Sequence, residues 1–309
     1  MITIGTRKSK LAMWQTEMVA GYLGASGIKT QINSMETIGD KILDTSIAKI
    51  GSKGVFTVEL EDQLASGITD IAVHSAKDMQ SQLPEGFHLI AYTEREKVQD
   101  VLLSKDETVD ISDSSRPLVV GTSSVRRRAF LQHFHPHVKI VEMRGNLQTR
   151  IRKMEEGACD ALILAYAGVK RMGYEEMVVK VFDEQKFVPP VGQGCIAIEA
   201  ATTLAGDKVA EIRACVNNLE SEVCLLAERA FLKKLEGGCS IPAFGYAVLE
   251  GEGIRLTAGL ASLDGVNILK TSEKGSAEDP EELGARVGEY ILNHGGREML
   301  AEIRRLQAG

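Results

Sequence analysis

The chain has 309 residues, of which 44% are hydrophobic and 26% charged, a composition that indicates a folded globular protein and excludes a disordered one. No apolar run approaches 18 residues and the N-terminus lacks an apolar signal core, so a protein without a transmembrane span is expected. The net charge is −7, yet nine Lys or Arg and one acidic residue lie between Arg116 and Lys153. Such a segment in an acidic protein predicts a local anion site and argues against general nucleic-acid affinity.

Strands and helices alternate in the first part of the chain. Residues 2–4 predict a strand, and Ser9 is a candidate N-cap for the helix that follows. A strand over 31–35, a helix that ends near Gly67 and an apolar strand over 70–74 come next. This alternation predicts an α/β unit.

A second α/β unit repeats the first. Residues 119–122 match residues 3–6, and residues 157–160 match residues 67–70, each before an apolar strand. Two such units facing each other enclose a cleft, and open α/β sheets bind ligands beyond the carboxyl ends of their strands.

A third region begins after Asn217-Asn218, whereas the strand over 195–200 can return to the first unit. The third region is predicted to be a small α+β domain. Its predicted elements are a helix over 221–235, strands around 243–249 and 254–260, turns at Glu252-Gly253 and Asp264-Gly265, and helices around 281–293 and 297–306.

Cys239 lies on a constrained loop. The helix before it stops at Gly237-Gly238, and Pro242 prevents the helix from resuming. Most free cysteines are small buried hydrophobes, so a buried thiol and a reactive thiol are both open interpretations. Five cysteines without framework spacing indicate a reduced, cytoplasmic protein.

Two stretches carry candidate ligand contacts. Ser75, Lys77 and Asp78 follow an apolar strand, and a carboxylate beside a lysine can move a proton or hold a protonated nitrogen. A capped surface turn is an equally good interpretation.

The stretch from Thr122 to Arg128 combines hydroxyls, a helix N-terminus and three arginines, which suits anions. Arg144 and Arg150 follow another strand, over 139–143, and can converge on the same cleft. A solvated basic face is the alternative.

Other features have simpler interpretations. Lys49 and Lys53 flank a Gly-rich loop that is either a mobile lid or an ordinary loop. His133, His135 and His137 lie around a proline and favour an exposed loop over zinc, so no metal site is predicted. His74 and Trp14 are interpreted as core residues.

Six stretches, in this order, resemble the porphobilinogen deaminase (hydroxymethylbilane synthase) family over essentially the whole chain. They are GTRKSKLA (5–12), DIAVHSAKD (70–78), GTSSVRR (121–127), RGN (144–146), VGQG (191–194) and EGGCSIP (236–242). The resemblance implies two type II periplasmic-binding-protein-like α/β domains that flank a cleft, plus a small C-terminal α+β domain. The implied domains are residues 1–95 with 195–215, residues 96–190, and residues 218–309.

The resemblance also implies a reaction. The family is a transferase of tetrapyrrole and heme biosynthesis. It joins four porphobilinogen molecules head to tail, releases ammonia at each step, and then releases hydroxymethylbilane. The chain grows on a dipyrromethane held by a thioether to the loop cysteine, which matches Cys239. Each pyrrole carries an acetate and a propionate, so the basic segment has carboxylates to bind.

The resemblance assigns roles to particular residues. Asp78 is implied as the catalytic residue that assists departure of the aminomethyl nitrogen. The implied cofactor contacts are Ser75, Lys77, Thr122, Ser124, Arg126, Arg127 and Arg150. The implied substrate contacts are Arg7, Ser9, Gln15, Arg144, Arg171 and Gln193, with Lys49 and Lys53 on the lid loop. The small-molecule partner is porphobilinogen; a cytoplasmic monomer that binds neither nucleic acid nor membrane is expected.

The chain departs from the family at two places. After Glu94-Arg95 the family often has Asp-Pro-Arg-Asp, whereas here Glu96-Lys97-Val98-Gln99-Asp100 follows; the missing Pro and Arg leave open the stiffness of the hinge and one positive contact. Arg128 extends the usual pair of arginines. Two other functions compete with the deaminase: a non-catalytic polyanion binder that uses the same cleft, and a nucleic-acid binder that uses Arg126–Arg128. Aromatic residues make up 5% of the chain and offer few stacking platforms for bases.

Overall fold

The first two units of the chain are each built on a five-stranded sheet, and the two sheets have the same strand arrangement. The computed structural model describes residues 1–37, 57–237 and 240–308. The first sheet contains β1 (Ile2–Arg7), β2 (Thr30–Met35), β3 (Ile71–Ser75), β4 (Phe87–Tyr92) and β10 (Ile196–Ala201). The second contains β5 (Asp100–Leu103), β6 (Val119–Gly121), β7 (Lys139–Val141), β8 (Ala161–Ala165) and β9 (Val178–Val181).

The strand order is β2-β1-β3-β10-β4 in the first sheet and β7-β6-β8-β5-β9 in the second. In each sheet three parallel strands are followed by one strand that runs antiparallel to both of its neighbours, β10 or β5. The chain reaches these two strands by crossing between the sheets. We term residues 93–99 the first crossing and residues 182–195 the second crossing.

Helices cover the sheets because their apolar residues fill the space against the strands. The helices are α1 (Lys10–Ala25), α2 (Val58–Ala65), α3 (Val125–Phe134), α4 (Leu147–Glu155), α5 (Tyr166–Arg171), α6 (Gly206–Val216), α7 (Leu219–Lys234), α8 (Pro280–Ile291) and α9 (Arg297–Ala308). Five of them begin at side-chain caps that accept hydrogen bonds from the first turn: Ser9, which the sequence marks as a cap, and Ser124, Asn146, Asn218 and Asp279. No helix in the described ranges is long and apolar enough to cross a bilayer.

The third sheet is an antiparallel meander of β11 (Ala243–Glu250), β12 (Gly253–Ala261) and β13 (Ile268–Ser276). It packs against α7 and α8 around a core of its own that includes Phe231, Leu256 and Val287. Phe244 of β11 instead contacts Phe130 of α3, with ring centroids 5.1 Å apart, and so joins the third sheet to the second unit. The predicted fold class, two α/β units and a small α+β domain, is confirmed.

Several local predictions change. β1 extends to Arg7, and the hairpin between β11 and β12 turns at Gly251-Glu252, one residue before the predicted position. His133 lies inside α3 and not in a loop. His74 is a core residue as predicted, since it is buried and its Nε2 lies 3.0 Å from Glu199 Oε2.

The prediction that Trp14 is a core residue is wrong. Its side chain is only half-buried, and it lies beside the guanidinium of Arg171.

Candidate functional site

The candidate site lies where strands of the two α/β units end. β3 ends at Ser75 and leads into a 3₁₀ turn over Ala76–Asp78, which places Lys77 and Asp78 just beyond the sheet. In the second unit β6 ends at Gly121, and α3 begins three residues after Thr122. Carboxyl ends of parallel strands are where open α/β sheets bind ligands.

Lys77 is the centre of a group of positive charges. Burial, with the nearby charges of Arg127 and Arg150, lowers the pKa of Lys77 to about 8, against the opposing effect of Asp78 and Asp100. Burial and Arg127 likewise lower the pKa of Arg150 to about 10, while Asp78 acts in the other direction. Three cations and one cleft carboxylate therefore share a confined space, and the space carries an excess of positive charge.

These cations suit the carboxylates of the expected dipyrromethane. Within the described residues, Lys77 makes no ion pair, and Arg150 bonds only to the carbonyl of Gly145, at 2.7 Å from its Nε. Cations crowded together in a desolvated cleft repel one another unless anions lie between them. The residues present therefore fit a ligand that brings several acetate and propionate groups.

Arg126 and Arg127 are bound inside the protein. They are 3% and 6% exposed, and both pair with Asp100, which is completely buried at the start of β5. Arg126 donates to Asp100 Oδ2 at 2.5 Å and to the carbonyl of Val188 at 2.9 Å. Burial alone would raise the pKa of Asp100, but the two arginines lower it to about 2.

This network changes how the two arginines are interpreted. Both terminal nitrogens of Arg126 have protein partners, so its contact with a cofactor carboxylate stays a prediction. All three guanidinium nitrogens of Arg127 also have protein partners, namely Asp100 and the carbonyl of Ile163 at 3.2 Å, so its contact with a cofactor carboxylate likewise stays a prediction. Its charge reaches Lys77 and Arg150 nevertheless, as the lowered pKa values of those groups show.

Gln193 completes the buried network. Its Nε2 donates to the carbonyl of Val98 at 2.7 Å and to Asp100 Oδ1 at 3.1 Å, and its side chain is completely buried. The predicted substrate contact of Gln193 therefore stays a prediction, whereas its contacts in the structure fix the first crossing and Asp100.

The hydroxyl residues mainly shape the strand ends. Ser124 caps α3 by accepting from Arg127 N at 3.4 Å, and Thr122 Oγ1 accepts from Ser124 N at 3.2 Å. Gln15 of α1 donates to Ser75 Oγ at 2.9 Å and so reaches the strand that carries Lys77 and Asp78. Ser9 is the N-cap of α1.

The predicted substrate arginines lie on different elements. Arg7 is the last residue of β1, and Arg144 pairs with Glu142 at 2.6 Å, in the segment between β7 and α4. Arg171 ends α5 and donates to the carbonyl of Gly194 at 2.8 Å. The structure therefore brings Arg171 to the second crossing, whereas Arg144 has a carboxylate partner of its own.

The glycines of the second crossing permit a close approach to the site. Gly192 has φ +77°, and a Cβ there would lie 2.8 Å from the backbone nitrogen of Lys77. Gly194 has φ +92°, and a Cβ would lie 2.3 Å from the carbonyl oxygen of Glu96. A side chain at either position would push the crossing away from Lys77 or from the first crossing.

Two site residues were missed in the sequence, and both secure the crossings. Arg95 donates to both oxygens of Glu228, at 2.6 and 3.1 Å, and to the carbonyl of Gln193. Glu228 is completely buried in α7 and also accepts from the backbone nitrogens of Gly192 and Ala247. The signal available in the sequence was a charged residue, Glu228, in the middle of the amphipathic helix α7. The spacing of residues alone does not identify Arg95 as its partner.

Glu96 and Lys97 lie at the first of the two places where the chain departs from the family pattern. Glu96 pairs with Lys170 of the second unit at 2.7 Å, and the Lys97 ammonium lies 5.1 Å from the ring centroid of Tyr166. The first crossing thus has charged contacts to α5 in place of a proline. Three predicted residues, Cys239, Lys49 and Lys53, lie outside the described residues.

Two family models match the chain. The model for the porphobilinogen deaminase "dipyromethane cofactor binding domain" matches residues 2–208, and the model for the porphobilinogen deaminase C-terminal domain matches residues 222–293. Together they span both α/β units and most of the third region.

Full-length relatives and solved structures were also compared. Porphobilinogen deaminase of Desulfosudis oleivorans is 56% identical over 99% of both chains, and that of Cytophaga hutchinsonii is 52% identical over 98% of this chain and 97% of its own. Among solved structures, the second substrate-binding domain of a putative amino acid ABC transporter from Streptococcus pneumoniae gives a TM-score of 0.44 at 13% identity, over 72% of this chain and 94% of its own. The methionine-binding protein MetQ gives 0.44 at 12% identity, over 69% and 89%. At TM-scores below 0.5 these two contribute nothing to the assignment, but the family models and the relatives show that the chain belongs to the porphobilinogen deaminase family.

Proposed function

We propose that the cleft around Lys77, Asp78, Arg127 and Arg150 is the active site of a hydroxymethylbilane-forming transferase. As a member of its family, the chain condenses four porphobilinogen molecules head to tail on a dipyrromethane cofactor and releases ammonia. The observation that carries the assignment of the site is the excess of positive charge, on the half-buried Lys77 and Arg150 and the buried Arg127, around one carboxylate. That charge is complementary to substrates that bear an acetate and a propionate on every ring.

Asp78 is the proposed catalytic residue. Within the described residues its carboxylate accepts no hydrogen bond, so both oxygens are available to a substrate. It lies in the same cluster as the cations Lys77 and Arg150. As a carboxylate it stabilises the positive charge that develops when the aminomethyl nitrogen leaves, and it accepts a hydrogen bond from the pyrrole N–H.

The cations near the cleft have different proposed roles. Lys77 and Arg150 have no carboxylate partner in the described part of the chain, and with Arg127 they are proposed to hold cofactor carboxylates. Arg126 holds Asp100, so that Arg127 keeps its position at the start of α3. When bound, the dipyrromethane supplies the pyrrole carbon at which the first new ring is joined. Ser75, Thr122, Ser124 and Arg126 are also proposed as cofactor contacts. The residues proposed to bind incoming substrate are Arg7, Ser9, Gln15, Arg144, Arg171 and Gln193.

Cys239 is the proposed attachment residue for the cofactor, and Lys49 and Lys53 belong to the proposed lid. We further propose the domain division given above, with 1–95 and 195–215 as one unit. A cytoplasmic monomer that binds no nucleic acid completes the proposal. The basic residues that would favour nucleic acid, Arg126 and Arg127, are buried and paired, which supports this last point.

Intact-mass spectrometry tests the attachment. The purified protein should exceed its sequence mass by two linked pyrroles, and Cys239→Ser should lose that excess. Cys215→Ser, a half-buried cysteine of α6, is the matched control and should keep it.

An unmodified protein that gains mass on incubation with porphobilinogen still supports the proposal, because it was prepared without cofactor. A protein that never gains mass, or an excess mass that survives in Cys239→Ser, contradicts it.

A further inference from the structure

Trp14 and Arg171 meet across the two α/β units. Trp14 lies on α1 of the first unit, and Arg171 is the last residue of α5 in the second. The guanidinium carbon of Arg171 lies 5.6 Å from the centroid of the indole ring. This distance is that of a cation–π contact, for which Trp is the most favourable ring.

Arg171 has a second anchor on the second crossing. One terminal nitrogen donates to the carbonyl of Gly194 at 2.8 Å. Within the described residues Arg171 pairs with no carboxylate, although it is half-buried and burial lowers its pKa. Its Nε and its other terminal nitrogen are therefore not used by the described protein groups.

The surroundings of Trp14 lead to the active site. The next residue, Gln15, donates to Ser75 Oγ at 2.9 Å, and Ser75 begins the turn that carries Lys77 and Asp78. One turn of α1 thus makes both contacts: Gln15 bonds to Ser75 at the end of β3, and Trp14 lies against Arg171. A half-buried indole on a helix that borders the site faces a charged group and not an apolar core.

We propose that Trp14 is a positioning residue that presents Arg171 to a carboxylate of the incoming pyrrole. This inference rests on the proposed function, since it concerns the same cleft. The indole face and the Gly194 carbonyl hold the guanidinium at two points. The planar guanidinium of Arg171 then needs little further ordering when its N–H groups donate to an acetate or propionate in a bidentate contact.

A double-mutant cycle tests the inference, with kcat and KM measured for porphobilinogen on Trp14→Leu, Arg171→Ala and the double variant. Loss of a cation–π contact of ordinary strength should raise KM about 3- to 30-fold in Trp14→Leu, with little change in kcat. Because Trp14 acts through Arg171, the double variant should be no worse than Arg171→Ala alone. Trp14→Phe keeps an aromatic face and should recover part of the lost KM.

The outcomes separate this inference from the proposed function. If Arg171→Ala leaves KM unchanged, the proposed substrate role of Arg171 fails, and the inference fails with it. If Arg171→Ala raises KM but Trp14→Leu does not, or if the two effects add, only the positioning role of Trp14 is overturned. Thermal midpoints are measured in parallel; a KM effect that follows lost stability and is not recovered in Trp14→Phe also overturns it.

Discussion

The two α/β units share a scaffold but differ in what they place at its edge. Both have the same strand order, and in each a buried strand is preceded by an aspartate that accepts from the first parallel strand. Asp70 accepts from Thr3 N at 2.8 Å, and Asp160 accepts from Val119 N at 2.7 Å. The same local contact thus recurs in both units, as the repeated sequence pattern indicates.

The difference begins where the strands end. β3 leads into a turn that carries Lys77 and Asp78, whereas the corresponding β8 leads directly into α5. α3 begins with two buried arginines that share Asp100, whereas α1 has no buried arginine. The first unit therefore carries the proposed catalytic carboxylate, and the second carries most of the positive charge near it. Repeated scaffolds diverge in chemistry through the residues at strand ends, which bear little of the packing.

Removing the acid from the first unit should have the largest effect. Asp78→Asn should lower the rate of ammonia release by about 10²–10⁴-fold, because the second unit has no carboxylate at the equivalent turn. Asp62→Asn, an exposed carboxylate on α2, is the control and should keep full activity. Intact mass must show the same cofactor content in all preparations; equal rates in cofactor-loaded Asp78→Asn would refute the assignment.

Removing the charge of Asp100, the buried partner of two arginines in the second unit, should mainly lower the free energy of unfolding. Asp100→Asn leaves Arg126 and Arg127 buried without a carboxylate, which should cost about 3–5 kcal/mol of unfolding free energy. Urea denaturation followed by circular dichroism measures the change. Asp106→Asn, which removes an exposed partner of Arg116, should leave the midpoint close to that of the parent protein. Similar midpoints for the two variants would mean that Asp100 is not the charge on which this unit depends.

The pH dependence of anion binding tests the cation cluster between the units. The pKa of Lys77 is lowered to about 8, so its positive charge is present below that pH and is lost as the pH rises through it. Porphobilinogen binding to the cofactor-free Cys239→Ser variant should therefore weaken above pH 8, by at most about tenfold per pH unit. Equilibrium dialysis from neutral pH upward measures this. Lys77→Arg keeps its charge and should show a shallower fall; parallel profiles would place the titration on another group, such as the substrate amine.

The sequence predicts the repeated unit well because periodicity and cap residues are local. Ser9 caps the helix that it was predicted to cap, and the apolar strands β3 and β8 lie where their residues indicate. Strand β5 was missed because it is four residues long and takes its stability from its neighbours in the sheet. The short strand β9, which pairs with β5, and the longer strands β4 and β13 were missed as well.

The site was only partly predictable. The family resemblance singles out Arg126, Arg127 and Gln193, but their shared partner Asp100 is the first residue of β5, far away in sequence. Trp14 matches the apolar face of α1, so periodicity assigns it to the core, whereas its partner Arg171 is distant in sequence and cannot be read from spacing. In both cases the position of the side chain depends on a polar partner that is distant in sequence, and no local sequence pattern identifies that partner.

Glu228 has a consequence for the way the protein assembles. Its carboxylate takes donors from three separate stretches of chain: Arg95 of the first crossing, Gly192 of the second crossing, and Ala247 of β11. A buried carboxylate is costly until those donors are in place, so all three stretches become ordered together. A fragment that ends before α7 would leave Arg95 without this countercharge. The C-terminal region therefore supplies the buried carboxylate that joins both crossings to β11.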